Sequence, residues 1–87
     1  MLKVIDNYDL KYLSRYGFKR YNYLPLYVKT IYYDKNKLYV WVEYEIDTKT
    51  RKIEFKTVNI GEQPQKFPVD NTLFDMMQDK ILEKVEE

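Results

Sequence analysis

The chain has no cysteine and no histidine. The first absence excludes a disulfide framework, a thiolate nucleophile and a thiolate metal site. The second removes the commonest general base together with the commonest transition-metal ligand. Ser14 is the only serine, and without histidine to activate it nucleophilic catalysis has no components. Gly17 and Gly61 are the only glycines, so no glycine-rich phosphate-cradling loop exists. The apolar runs are too short to cross a bilayer, and no signal-peptide core follows Met1. Both point to a soluble, cytoplasmic protein. No cofactor and no metal are implied, and the residue types do not describe an enzyme.

What is present is aromatic and charged. Ten of the 87 residues are tyrosine, and 45% of the chain is hydrophobic, enough for the core of a single domain over residues 1–87. A core of this size is only a few kcal/mol stable, so self-association would be an unsurprising supplement. The net charge of +1 conceals an asymmetry. Residues 11–37 carry Lys11, Arg15, Lys19, Arg20, Lys29, Lys35 and Lys37 against Asp34 alone. Residues 70–87 carry Asp70, Asp75, Asp79, Glu83, Glu86 and Glu87 against Lys80 and Lys84. Such segments are ordinarily solvated faces of opposite sign, and a basic patch for a polyanion is the functional alternative.

The stretch Leu38–Ile46 organises the rest. Leu38, Val40, Val42, Tyr44 and Ile46 alternate with Tyr39, Trp41, Glu43 and Glu45, the period of a half-buried strand. Before it, Leu26–Tyr33 alternates too, and Asp34-Lys35-Asn36 suits a three-residue hairpin loop. That loop sets Val28 opposite Val42 and Leu26 opposite Tyr44. A second hairpin with a four-residue loop pairs Asp47 with Lys52, sets Tyr44 opposite Phe55, and puts strand three over about 52–58. Residues 18–24 read as either a short edge strand or an extended connector, since Pro25 cannot donate to a ladder.

Helices flank the meander. Asp6 is a candidate N-cap, Ile5 and Leu10 have the spacing of a hydrophobic staple, and Gly17 suits a left-handed ending with Phe18 folding back on Leu13. The first helix is therefore expected over 7–16. Gly61, Pro64 and Pro68 mark a loop over 59–71. The second helix is expected from Asn71 or Thr72, where Thr72-x-x-Asp75 has capping-box spacing, onward along Leu73, Met77, Ile81 and Val85, with Phe74 and Met76 beside that stripe. The expected fold is α+β: two layers, with both helices on the even-numbered face of the meander.

The segments SRYGFKRY, DTKTRKIEF and LFDMMQDKILEKVEE, in that order, resemble small uncharacterised proteins of phages and prophages of low-GC Gram-positive bacteria. The resemblance spans most of the chain and rests on a helix ending, a hairpin and a C-terminal helix. It implies no activity and no functional residue.

Glu43 and Glu45 share one face of the middle strand about 7 Å apart, the arrangement of a glycosidase acid and base, but a solvated pair beside Lys52 or Lys56 accounts for them. Asp34 and Asn36 lack the glycine and distal glutamate of a calcium loop. The more informative expectation is an open odd-numbered sheet face bearing Tyr27, Lys29, Ile31, Tyr33, Tyr39 and Trp41. Rigid aromatic surface of that kind marks interfaces. Two functions follow. The first is a non-enzymatic protein-interaction module docking to a protein partner or to itself as a dimer. The second is single-stranded nucleic-acid binding, with bases stacked on Tyr27, Tyr39 and Trp41 and phosphates tracked by Lys29, Lys35 and Lys37. Glu43, Glu45 and Glu54 on the same face repel a phosphate backbone and favour the first.

Overall fold

Asp9, not Asp6, opens the first helix. Its side chain accepts from the Lys11 amide at 3.1 Å, and the turn it caps is a 3-10 helix over Leu10–Tyr16. Asp6 instead pairs with Lys3 at 3.1 Å. The computed structural model describes residues 1–21, 23–33, 41–58 and 70–85, and of residues 32, 33, 41, 57 and 58 the backbone only. The turn expected at Asp34–Asn36, and residues 59–69 of the expected loop, lie outside the described residues.

The helix ends as its sequence requires. Gly17 takes φ 91°, its N–H donates to the Ser14 carbonyl at 3.0 Å, and the Phe18 N–H reaches the Leu13 carbonyl at 3.3 Å. This is a Schellman ending, in which the residue after the left-handed position packs on the last turn. Leu13 and Phe18 are accordingly both buried in the core.

The second helix follows the same rule without a glycine to announce it. An α-helix, α1, runs over Thr72–Gln78 and stops well short of the expected stripe. Lys80 adopts φ 61°, its N–H donates to the Met77 carbonyl at 3.0 Å, and the Ile81 N–H donates to Met76 at 3.2 Å. Met76 and Ile81 are buried in the core, whereas Phe74 and Met77 are exposed. Such an ending places both Met76 and Ile81 in the core, and that burial offsets a cost of about 1–2 kcal/mol for a non-glycine in the left-handed region.

Released from helix, Leu82–Lys84 forms a strand, β6, that pairs antiparallel with Leu2–Val4, β1. Leu2 lies opposite Lys84 and Val4 opposite Leu82, and the Val85 N–H extends the ladder to the Met1 carbonyl at 2.9 Å. Lys3 pairs with Glu83 across it at 3.2 Å. This two-stranded sheet was not expected from the sequence.

Among the described residues, the main sheet has four antiparallel strands in the order β2-β3-β4-β5: Lys19–Arg20, Leu26–Tyr33, Trp41–Asp47 and Ile53–Val58. Residues 19–20 thus form the edge strand that the sequence left open. A bridge between Lys3 and Lys52 and a bond from the Val4 N–H to the Arg51 carbonyl at 2.9 Å join the small sheet to the start of β5. Between β4 and β5 the register is as expected, with Tyr44 opposite Phe55 and Ile46 opposite Ile53. The Asp47 carboxylate caps that turn by accepting from the Lys49 and Thr50 amides at 2.7 and 2.9 Å, which holds its pKa below the ordinary carboxylate value.

The β3–β4 register corrects the expectation. Val28 lies opposite Glu45 rather than Val42, Lys29 opposite Tyr44, and Tyr27 opposite Ile46. Between Thr30 and Tyr32 the register shifts by one residue, so that Tyr32 meets Val42 and Tyr33 meets Trp41, the signature of a β-bulge. Both faces of β3 are apolar, with Leu26 and Val28 on one and Tyr27 and Ile31 on the other. Hydrophobic pattern therefore specifies its register weakly. The core consists of Val4, Leu13, Phe18, Tyr44, Ile46, Ile53, Met76 and Ile81, drawn from both helices, both sheets and the turn before β6.

The two helix endings make opposite predictions. A Cβ on Gly17 would sit 3.2 Å from Lys29 Cε on a backbone that disfavours any side chain. Gly17→Ala should therefore cost about 1 kcal/mol or more. Lys80→Gly relieves the same strain and should stabilise by about 0.5–1 kcal/mol. Urea midpoints of the two variants check both; equal midpoints would mean that neither ending is under conformational constraint.

Candidate functional site

The residues expected on an open face are divided by the register. Tyr27 and Ile31 pack against the core, and the Arg20 guanidinium lies 5.9 Å from the Tyr27 ring centroid. Lys29 points the same way: its Nζ donates to Thr72 Oγ1 at 2.6 Å and lies 3.9 Å from the Asp70 carboxylate. It fastens β3 to the start of α1, and its stem lies against Gly17. Tyr33 and Trp41 are paired in the ladder at the far end of β3 and β4, and Tyr39 lies outside the described residues. So Tyr27, Lys29 and Ile31 sit on the helix-covered side, because the offset in pairing puts them beside Tyr44 and Ile46.

The same offset turns Leu26, Val28 and Thr30 to the other side, beside Glu43 and Glu45. There they floor a concavity of about 460 Å³, walled by Tyr21, Tyr23 and Leu24 of the turn that precedes β3. Tyr23 is 83% exposed, and Tyr21 and Leu24 are also open. A second concavity of about 370 Å³ shares Leu26 and Glu45 and continues past Asp47 and Lys52 to Glu54 and Lys56. Together they form a groove along the sheet face away from the core.

Its charge is predominantly acidic. Glu45 and Glu54 lie directly opposite each other, an unfavourable juxtaposition of like charges. Lys56 bridges them, with its Nζ 3.1 Å from Glu45 and 3.8 Å from Glu54. The bond to Glu45 raises the Lys56 pKa. Glu43 and Asp47 add two carboxylates along the same strand, against Lys52 at the far end. Among the described residues, no group of three or more acidic side chains is placed to hold a metal ion.

The tyrosines sort by the same geometry. The Tyr16 hydroxyl donates to the Asp79 carboxylate, tying the 3-10 helix to the end of α1. Tyr44 is core. Tyr12 is flanked by cations, Lys11 Nζ at 5.2 Å and Arg15 Cζ at 4.7 Å from its ring centroid. Sequence reasoning missed Tyr21, Tyr23 and Leu24 as a site; the available signal was an aromatic-rich turn, YNYLP, just before a strand.

No protein-family model, no curated protein and no solved structure matches this chain.

The buried Tyr44 and the half-buried Tyr8 and Tyr16 predict an alkaline limit to stability. Burial, followed by the bond to Asp79, pushes the Tyr16 hydroxyl well above its ordinary value of 10.0. Burial raises Tyr8 and Tyr44 as well. Above pH 10 the unfolded chain loses these protons first, so the folded state binds more of them and stability falls as pH rises. The contribution is fully present below that pH. Urea midpoints measured between about pH 9 and 11.5 should decline, and Tyr16→Phe should decline less steeply. Parallel curves for the two proteins would exclude Tyr16 as a source.

Proposed function

We propose that this chain is a small non-enzymatic protein-interaction module, and that it works through the groove on the sheet face turned away from the core. The observation that carries the reading is the joining of open aromatic and aliphatic side chains, Tyr21, Tyr23 and Leu24, to a floor edged by carboxylates. Tyrosine supplies rigid contact area with a polar tip, the composition favoured at interfaces. The acidic edge selects a protein segment that brings apolar and cationic side chains together, and it repels a phosphate backbone. The reading takes the chain as a cytoplasmic accessory protein, consistent with its resemblance to small phage proteins. Among the described residues, no helix is long and apolar enough to cross a membrane.

Site-selective photo-crosslinking tests this reading. A benzophenone side chain in place of Tyr23 should give protein adducts, and the same probe in place of Phe74, on α1, should not. Leu26→Arg should reduce the Tyr23 adducts at least about tenfold, as expected for loss of a central apolar contact. Fluorescent oligothymidylate at low salt should show no competing affinity. Adducts equal at both positions would remove the groove from consideration, and oligothymidylate that competes for the Tyr23 adduct would replace the reading with nucleic-acid binding.

A further inference from the structure

Across the groove face the strand register sets charges of opposite sign on the two sides of β3. One cross-strand row runs Lys19, Val28, Glu45, Glu54. Neighbouring strands lie about 4.8 Å apart, so Lys19 and Glu45 flank Val28 at equal spacing and with opposite sign. Lys19 is exposed and makes no ion pair among the described residues. On the other flank, Glu45 and Glu54 share Lys56, which leaves a surplus of negative charge.

We infer that the partner fitting this face is a second copy of the chain, packed face to face about a two-fold axis that runs along β3. The inference rests on the protein-contact reading above and names its partner. Rotation about that axis exchanges the two flanks. Lys19 of each copy is carried over Glu45 and Glu54 of the other, giving two equivalent ion pairs. Heights along the strand are preserved, so Leu26 meets Leu26. Tyr23, projecting from the β2 side, is carried over the β4 side of the opposing groove. Val28 is already only 8% exposed, so the apolar contact falls to Leu26, Tyr21, Tyr23 and Leu24. The arrangement is isologous and closed, the form that most soluble oligomers take. A domain this small gains from the added burial.

Sedimentation equilibrium of the full chain and its charge variants decides the matter. The wild type should be a dimer at about 0.1 mM, and Lys19→Glu should weaken it at least about tenfold. Arg20→Glu makes the same change in net charge on the opposite sheet face, beside Tyr27, and should leave the dimer within about twofold of wild type. Lys19→Glu combined with Glu45→Lys should restore association. If circular dichroism shows the double variant unfolded, the contrast between Lys19→Glu and Arg20→Glu decides alone. A monomeric wild type, assemblies larger than two, or equal effects of Lys19→Glu and Arg20→Glu would each overturn the inference. A monomeric wild type that still crosslinks a different protein from position 23 would defeat the second copy and keep the protein-contact reading. One that crosslinks nothing would defeat both.

Discussion

The pairing of β3 with β4 is the constraint on which the rest depends. Tyr27 against Ile46 and Lys29 against Tyr44 decide which half of each strand packs on the helices. A slip of one residue would exchange the two faces entirely, because side chains alternate with a period of two. Lys29 helps hold the choice: its stem lies along Gly17 and its amine bonds Thr72 at the start of α1. The bulge at Ile31 then lets the hairpin continue with the offset altered by one residue. A lysine on the inner face is tolerable because its ammonium ends at a hydroxyl and near a carboxylate rather than in the apolar core.

The two helices show a second constraint, the way each ends. Leu13 with Phe18, and Met76 with Ile81, are the same pair of positions in the same motif, and all four are core residues. Each short helix is thus held by its last turn and the residue that folds back on it more than by intrinsic propensity, which a helix of seven residues cannot supply. The Tyr16 hydroxyl on Asp79 then joins one ending to the other. Arg51 secures the segment before the first helix. Its guanidinium donates to the carbonyls of Ile5 and Tyr8 at 2.9 and 2.7 Å, from a residue that itself sits at φ 65°.

Much of the fold was legible in the sequence, and the misses have physical causes. Gly17 announced its helix ending because glycine alone adopts positive φ without penalty. Lys80 gave no such signal, so Leu73, Met77, Ile81 and Val85 read as one continuous helical stripe. The β4–β5 register was readable because Asp47 and its turn fix it locally. That of β3 was not, since either face of the strand could serve as the apolar one. The candidate site followed the register, and so the open face was assigned to Tyr27, Lys29 and Ile31 instead of Leu26, Tyr21 and Tyr23. The strand pairing of residues 2–4 with 82–84 left no local mark, because it joins segments separated by nearly the whole sequence.

That last pairing has a mechanical consequence. Met1 and Val85 lie at the same end of the small sheet, joined by a backbone bond. Tension applied between them would load the β1–β6 bonds one after another, as in a zipper, and not all together in shear. The small sheet would therefore open under a modest pull. The meander beyond it takes the load only after the bridge at Lys3 and Lys52 has given way. Force applied across Met1 and Val85 therefore meets the small sheet first and the meander second.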